Sequence, residues 1–196
     1  MMSGFTNVGA PNELIMEMIQ SDICDIDLIA NDAGNDHDDG IGALICQHRV
    51  RSLTASHIGL NPEAGRQMNA GEMKVTLVPQ GTLAERIRCG GYGLGGFLTP
   101  TGVGTVVAEG KQIMDVEGRT YLLEQPLRAQ VAILKAWKAD TSGNLVYRRS
   151  ARNFNPLMAM AADLVIAQVE QIVEIGELDP DEIMTPGTCV DMVVVM

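Results

Sequence analysis

Four short polar segments of this chain follow an apolar run or lead into a helical pattern. In open α/β sheets, ligands bind outside the carboxyl ends of the strands, so we expect the chemistry of the chain in such segments. Their amides, carboxylates, hydroxyls and imidazole could orient a substrate oxygen, move a proton or bind an ion. The segments are residues 3–9, Asn31-Asp32, Ser56-His57 and Pro79-Gln80-Gly81.

The first segment, called the 3–9 loop below, leads through Ala10 and Pro11 into a helical pattern. Its glycines would let a ligand approach the backbone, and free N–H groups beside a helix start favour an anion. The predicted ligand is therefore a phosphate or pyrophosphate. An ordinary strand-to-helix turn explains the same residues, and this alternative stays open. The loop consists of Ser3, Gly4, Phe5, Thr6, Asn7, Val8 and Gly9.

Gln80 follows an apolar run that ends at Val78. Its neutral amide can donate and accept at once, which suits the orientation of a carboxylate or thioester oxygen. A turn-stabilising amide is the competing interpretation. The following residues fit a capping box, which predicts that Thr82 and Glu85 satisfy the first N–H groups of a helix. Glu85 is therefore interpreted as a cap and not as a catalytic acid.

An acidic cluster around His37 raises the question of a metal site. It does not fit a calcium loop, because with Gly40 as the turn glycine His37 occupies a ligand position and Cys46 replaces the closing glutamate. Acidic residues are also favoured before a helix N-terminus. We therefore predict a solvated acidic loop and no metal site. The cluster comprises Asp32, Asp36, His37, Asp38 and Asp39.

Residues 90–104 hold seven glycines in fifteen positions. This density predicts a mobile or closely packed loop rather than a regular element. Gly91, Gly93 and Gly96 match the spacing of a dinucleotide-binding fingerprint. That fingerprint must follow a strand and open a helix, whereas here a helical pattern precedes it, so the dinucleotide interpretation is rejected.

Short apolar runs alternate with helical patterns in the first half of the chain. This predicts an α/β fold with an open, mostly parallel sheet flanked by helices. In the second half, turn residues at Glu117-Gly118 and at 140–144 predict two antiparallel hairpins, and Asn155-Pro156 predicts a helix start. We expect a single domain over residues 1–196. The predicted strands are 26–30, 53–56, 74–78, 112–116, 120–124, 130–137, 145–148 and 163–169, and the predicted helices of the first half are 14–19, 41–48 and 62–70.

The charge balance of the chain excludes several partners. Fourteen Lys and Arg stand against 25 Asp and Glu, and the formal net charge is −11. A nucleic-acid partner or an anionic membrane surface is therefore not expected. No apolar run approaches the about 20 residues that a spanning helix needs. The N-terminus lacks signal-peptide features, which predicts a cytoplasmic protein, and the four separated cysteines are interpreted as buried free thiols.

Several longer motifs resemble one known family. The sequence is similar to the A-type, or alpha, subunits of family I coenzyme A transferases, which include the 3-oxoacid and the acetate (butyrate)-acetoacetate enzymes. The matching motifs follow one another in the order of that family and cover nearly the whole chain. They lie at residues 29–32, 55–59, 76–87, 95–105, 150–156 and 184–187, together with the 3–9 loop.

The resemblance implies a ping-pong exchange of coenzyme A (CoA) between acids. A glutamate attacks an acyl-CoA, forms an acyl anhydride and then a glutamyl-CoA thioester, and CoA passes to the second acid. In this family the glutamate lies in a Ser-Glu-Asn-Gly motif of the partner B subunit, and the motif is absent here. The resemblance therefore implies no catalytic nucleophile in this chain, with CoA as a substrate and no permanently bound cofactor.

The resemblance also assigns roles to the two candidate segments. It associates the 3–9 loop with CoA binding and Gln80 with orientation of the substrate. Ser3 departs from the usual glycine of the family loop. The family also has a helix and the start of a strand before this loop, which are not found here, and we expect lower soluble yield than for an N-terminally extended version.

The acid substrate is open at this level. The segment 57–63 favours acetate or butyrate with acetoacetyl-CoA, while 3-oxoadipate or succinyl-CoA:3-oxoacid transfer are alternatives within the same family. A non-catalytic CoA-binding partner module is an alternative outside the enzyme class. A neighbouring reading frame with the Ser-Glu-Asn-Gly motif would favour the transferase.

Overall fold

A computed structural model describes residues 1–36 and 39–196 of the chain. The described residues form helices and strands in alternation over the first half and mostly strands over the second. The helices are α1 Asn12–Gln20, α2 Gly40–Cys46, α3 Pro62–Ala70, α4 Gln80–Gly91 and α5 Asn155–Met160. The strands are β1 Ile26–Ile29, β2 Val50–Ala55, β3 Lys74–Leu77, β4 Phe97–Thr99, β5 Ile113–Val116, β6 Arg119–Glu124, β7 Ala129–Lys135, β8 Lys138–Asp140, β9 Leu145–Val146, β10 Ala162–Val169, β11 Gln171–Val173 and β12 Met192–Val195.

The first half is a parallel sheet with the strand order β1-β2-β3. Its strands and helices confirm the elements predicted there. Helix α3 shows why: the Asn61 side chain accepts from the N–H groups of Glu63 and Ala64, Pro62 occupies the first turn, and Gly71 ends the helix at φ 71°. A capping amide, a first-turn proline and a terminal glycine are strong local signals, so both helix ends were predictable.

The second half contains another parallel ladder, in the order β12-β10-β7. The prediction that residues 130–137 and 145–148 form a hairpin is wrong for most of the first segment. β7 pairs in parallel with β10, and the short β8 pairs antiparallel with β9. β7 contains three consecutive buried residues, Ala132, Ile133 and Leu134, so its sequence carries no alternation that would reveal its partner.

The hairpin predicted around Glu117-Gly118 is confirmed. β5 and β6 are antiparallel, and both turn residues have positive φ, 52° and 78°. Two such residues form the turn that matches the twist of a hairpin. β4 adds to the other edge of β6. At the end of β6 the buried Glu124 carboxylate forms ion pairs with Lys111 and Arg86.

The first three residues join the two parallel sheets. Met2 N donates to Ile29 O on β1, at 3.0 Å. On the other side, Ser3 N donates to Ile133 O at 3.2 Å, and Ile133 N donates to Met1 O at 3.0 Å. Backbone groups of residues 1–3 are thus hydrogen-bonded to β1 and to β7, and Met2 forms a parallel bridge with Ile133.

Two apolar clusters pack against the two parallel sheets. One lies among α1, α2, α3 and β1–β3 and includes Ile15, Leu44 and Leu53. The other lies among α4, α5, β7 and β10 and includes Leu83 and Met158. Helices packed on a mostly parallel sheet, with added antiparallel strands in the second half, confirm the predicted α/β fold class. None of the described helices is both long and apolar enough to span a bilayer.

Candidate functional site

The four polar segments predicted as sites meet at one edge of the sheet. Thr6 of the 3–9 loop bonds to Asp32, Asn31 bonds to Ser56, and Gln80 bonds to Asn31. Asn31, Ser56 and Gln80 follow the carboxyl ends of β1, β2 and β3. Parallel strands bring their carboxyl ends to the same edge, which is why segments distant in sequence converge here.

Asp32 is the buried acceptor at this edge, with 4% of its surface exposed. Its Oδ2 accepts from Thr6 N at 2.7 Å and from Asn31 Nδ2 at 2.7 Å. Its Oδ1 accepts from Gly34 N at 2.8 Å. A buried carboxylate is tolerated when donors surround it, and here three N–H groups do so.

Asn31, 2% exposed, links Asp32 to the other strand ends. Its Oδ1 accepts from Gln80 Nε2 at 3.1 Å. The Ser56 hydroxyl donates to the Asn31 backbone O at 2.7 Å and lies 3.3 Å from Asn31 Oδ1. Gln80 itself is exposed, so one face of its amide is held by the protein while the other is open to a ligand.

Helix α4 begins at Gln80, earlier than the capping box predicted. Thr82 is therefore inside the helix and buried, and no side chain caps the helix start. Glu85 instead forms an ion pair with Arg88 one turn later, at 2.9 Å. The capping-box prediction is wrong, because Pro79 lies outside the helical region, with φ −51° and ψ 136°, and the helix starts immediately after it.

The 3–9 loop is a tight turn whose ends close on one another. Phe5 N donates to Val8 O at 3.0 Å and Val8 N donates to Phe5 O at 3.1 Å. The buried Ser3 hydroxyl donates to Gly9 O at 3.1 Å. The expectation of free N–H groups is thus wrong for Ser3, Phe5, Thr6 and Val8, whose N–H groups already have acceptors. These four N–H groups are therefore not available to bind an anion.

The loop presents apolar side chains outward. Phe5 is 46% exposed and Val8 is 50% exposed, on either side of the turn. Since Thr6 N is bound to the Asp32 carboxylate, negative charge already lies beneath the apex of the loop. An apolar ligand segment fits this surface better than a pyrophosphate does, because like charges repel in a partly buried site.

Two asparagines that sequence reasoning placed in a matching motif, but not in the site, hold the 3–9 loop from its other side. Asn153 Nδ2 donates to Val8 O at 2.8 Å, and Asn155 Nδ2 donates to Gly9 O at 3.3 Å. Asn155 is fully buried and its Oδ1 also accepts from Lys135 N, at 2.9 Å. The signal in the sequence that could have placed these asparagines in the site is a pair of polar side chains around Phe154, an apolar residue at a helix start.

Other candidates contribute less. Among the described residues, no group of His, Cys, Asp and Glu is arranged to hold a metal ion. His37 and Asp38 of the acidic cluster lie outside the described residues. The thiol interpretation holds for Cys89, which is buried, while Cys24 is exposed and the other two are intermediate.

The glycine-rich segment 90–104 is partly regular, which corrects the loop prediction. Gly90 and Gly91 belong to α4, and β4 Phe97–Thr99 follows. The predicted close packing is present at Gly90, where an added Cβ would lie 2.0 Å from Leu127 O. Helix α4 therefore passes the neighbouring backbone at a distance that only glycine permits.

The arrangement can orient a ligand, but the strand-end residues just described include no nucleophile–base pair. The Ser56 hydroxyl is directed to Asn31, and the His57 side chain is exposed beside Gly59. What the edge offers is a fixed amide at Gln80 and an apolar turn at Phe5 and Val8. Such an edge can bind and align a substrate whose reacting partner comes from elsewhere.

Known proteins resemble the chain over its whole length. The sequence pattern of the family described as "Coenzyme A transferase" matches residues 1–196. The alpha subunit of the acetate CoA-transferase of Escherichia coli K12 is 57% identical over 195 residues, which are 100% of this chain and 88% of that protein. The corresponding subunit of a probable succinyl-CoA:3-ketoacid coenzyme A transferase of Bacillus subtilis is 51% identical, over 97% of this chain and 80% of that protein.

A third relative and a solved structure agree with these two. The acetoacetyl-CoA:acetate/butyrate CoA transferase alpha subunit of Clostridium acetobutylicum is 44% identical over 99% of this chain and 88% of that protein. The crystal structure of an acyl-CoA transferase from Escherichia coli O157:H7, 20% identical, superposes with a TM-score of 0.85. The superposition covers 100% of this chain and 43% of that protein, and it supports the fold. The chain belongs to the coenzyme A transferase family.

Proposed function

We propose that this chain is the A-type, or alpha, subunit of a heteromeric CoA transferase that exchanges CoA between a short-chain acyl-CoA or 3-oxoacyl-CoA and a carboxylic acid. Acetate or butyrate with acetoacetyl-CoA is the proposed substrate pair. The names of the 57% and 44% identical relatives support this choice. We place the protein in the cytoplasm, and we treat residues 1–196 as one domain.

The observation that carries this proposal is the position of Gln80. Its Nε2 is held by Asn31 Oδ1 at 3.1 Å at the strand-end edge, while the residue itself is exposed. The other N–H of that amide can donate to a substrate carboxylate or thioester oxygen. A donor fixed before the substrate arrives stabilises charge that develops on that oxygen. Gln80 is thus proposed as a substrate-orienting residue.

The 3–9 loop is proposed to contact CoA. The exposed Phe5 and Val8 side chains give it an apolar edge, which suits the pantetheine arm. The three hydrogen bonds from Ser3, Asn153 and Asn155 hold the loop in its turn before the ligand arrives. A loop that is ordered in the free protein loses less conformational entropy on binding.

The reacting glutamate is proposed to come from the partner B subunit. Its carboxylate attacks the thioester carbonyl, the C–S bond breaks, and an acyl-glutamyl anhydride forms as the CoA thiolate leaves. The thiolate then attacks the glutamyl carbonyl and releases the first acid. The second acid repeats these steps in reverse order and leaves as its CoA ester, so that atoms and charge balance.

Succinyl-CoA:3-oxoacid transfer is the second candidate. It is favoured by the 51% identical relative that carries this name. Both candidates use CoA and differ in the acid, so a panel of acids separates them. A 3-oxoadipate specificity and a non-catalytic CoA-binding partner module are the remaining alternatives.

The test is CoA transfer from acetoacetyl-CoA to acetate with this chain only, with a candidate B subunit only, and with both. We expect activity in the mixture only. Gln80→Ala in the mixture should lower kcat about 100-fold, the usual effect of losing one fixed donor to a developing oxyanion. Gln112→Ala, which removes an exposed amide before β5, is the control. A folded and associated pair without activity on any acid in the panel would favour the binding module.

A further inference from the structure

We propose that Asp32 is a positioning residue that fixes which way the Gln80 amide faces, acting through Asn31. This inference rests on the proposed role of Gln80 in orienting the substrate. The connection runs over two hydrogen bonds, from Asp32 to Asn31 and from Asn31 to Gln80.

The Asp32 carboxylate determines how the Asn31 amide is oriented. Asp32 receives hydrogen bonds from Thr6 N, Gly34 N and Asn31 Nδ2. Since such a carboxylate only accepts, the Asn31 side chain must present its NH2 group to it. The Asn31 oxygen is then forced to the opposite side, where Gln80 lies at 3.1 Å.

The Asn31 amide in turn determines how Gln80 is oriented. Because Asn31 presents an oxygen, Gln80 must present its nitrogen, which gives the observed Nε2–Oδ1 bond. The orientation of Gln80 is thereby fixed, with Oε1 and the second N–H left for a ligand. Without Asp32, the two flips of the Asn31 amide would differ little in energy, and Gln80 would occupy both orientations. A substrate oxygen would then meet the wrong end of the amide in part of the molecules.

Asp32 also holds the 3–9 loop. Thr6 has φ 56°, a left-handed conformation that costs a residue with a side chain about 1 kcal/mol. The bond from Thr6 N to Asp32 Oδ2, at 2.7 Å, offsets this strain. One carboxylate thus determines the amide that faces the substrate and the apex of the loop proposed to bind CoA. The first effect should be seen in kcat and the second in KM for the acyl-CoA.

The decisive variants are Asp32→Asn and the exchange Asn31→Asp with Asp32→Asn. In the assembled enzyme, Asp32→Asn should lower kcat tenfold or more and raise KM for acetoacetyl-CoA. The exchange places a carboxylate at position 31, which again requires Gln80 to present Nε2. It should restore kcat at least fivefold while KM stays high, since Thr6 N faces an amide instead of a carboxylate. Asp27→Asn, which changes an exposed carboxylate on β1, the strand that precedes Asp32, is the control.

The outcomes separate the two proposals. If Gln80→Ala keeps full activity, the role of Gln80 fails whatever the Asp32 variants do. If Gln80→Ala is inactive but Asp32→Asn keeps the wild-type kcat, the role of Asp32 alone is overturned. A kcat that falls equally in Asp32→Asn and in the exchange would also overturn it, because a merely structural role is not rescued by exchange. In a Gln80→Ala background, Asp32→Asn should lower kcat no further.

A measurement on the unmutated enzyme covers the case in which these variants do not fold. With Asn and Gln of this chain labelled by nitrogen-15, the Asn31 NH2 protons should exchange with water at least 100-fold more slowly than those of an exposed asparagine. Exchange of the Asn31 NH2 at the rate of an exposed side chain would show that Asp32 does not hold it, and would overturn the proposal.

Discussion

The Asn153 side chain donates a hydrogen bond to Val8 O at 2.8 Å, across 145 positions of the chain. This contact fixes the turn of the 3–9 loop to the segment before α5. The neighbouring Asn155 repeats it at Gly9 O. The conformation of the loop is therefore set from a distant part of the sequence, and the loop can be loosened without altering any of its own residues.

Loss of the Asn153 contact should weaken the binding of CoA. Asn153→Ala should raise KM for acetoacetyl-CoA several-fold with little change in kcat, because the loop loses an anchor while Gln80 does not. The free energy of unfolding should fall by about 1 to 3 kcal/mol, because the Asn153 side chain also bonds to Ser150 O and Phe154 N and each such bond has a net value of about 1 kcal/mol. Steady-state kinetics and urea unfolding of the assembled enzyme measure both. A loss confined to kcat would contradict the assignment of this loop to CoA binding.

Gly9→Ala should lower the free energy of unfolding for two reasons. Gly9 has φ 74°, and an added Cβ would lie 2.4 Å from Ala151 O. Gly71→Ala is the matched control, because Gly71 has φ 71° with no atom within 4 Å of an added Cβ. The control should lose about 1 kcal/mol from backbone strain alone, and Gly9→Ala should lose at least about 2 kcal/mol more. If thermal and urea unfolding show equal losses of stability for the two variants, the loop can shift to accommodate the added methyl group.

Glu124→Ala should destabilise the antiparallel sheet. The carboxylate is 1% exposed and pairs with Lys111 and Arg86, so its removal leaves two cations without their buried partner. We expect a loss of about 3 kcal/mol in the free energy of unfolding and faster hydrogen exchange in β5 and β6. Glu85→Ala, which breaks a half-exposed pair with Arg88 on α4, should cost at most about 0.5 kcal/mol. Similar losses in the two variants would refute this distinction.

Asp140 should make the free energy of unfolding depend on pH in the acid range. Burial acts to raise the pKa of its carboxyl, but hydrogen bonds from Asn144 and Ser142 outweigh burial, so the pKa lies below its ordinary value. The folded state then binds the proton less readily than the unfolded chain does. Its contribution is fully present above the unfolded pKa, near about 4, and is lost as the pH falls through the lower folded value.

Urea unfolding from pH 7 to pH 3, for the wild type and Asp140→Asn, measures this dependence. The variant should be less stable at pH 7 by about 1 to 2 kcal/mol, since it loses acceptors for the turn after β8. The difference should shrink as the pH falls below about 4. A constant difference across this range would show that the carboxylate charge has no part in holding the turn.

Local signals made much of the fold predictable. The Asn61 cap and Gly71 define α3, and Glu117-Gly118 define a hairpin, because each depends on contacts within a few residues. The pairing of β7 with β10 was not predictable in the same way. Nothing in the sequence near β7 distinguishes a hairpin partner from a parallel strand that arrives later in the chain.

The candidate site, like the fold, was predictable from sequence only in part. The strand-end segments with Asn31, Ser56 and Gln80 could be located from sequence, because a parallel sheet gathers its carboxyl ends. The atoms that form hydrogen bonds there could not be predicted, since Asp32 is indistinguishable in sequence from other acidic residues of its loop. The Asn153 contact is also invisible locally, because it joins segments that are far apart in the chain.

Residues 1–3 have a consequence for the order in which the molecule can form. They are synthesised before both of the strands that they join, yet Met1 N bonds to Val131 O, 130 positions later. The β1-β2-β3 sheet has near-neighbour contacts and can assemble early, whereas closure onto β7 must wait for most of the chain and then incurs the entropy of a long loop. During translation, the backbone edge of residues 1–3 that faces β7 therefore stays open to other chains for longer than an edge that pairs locally.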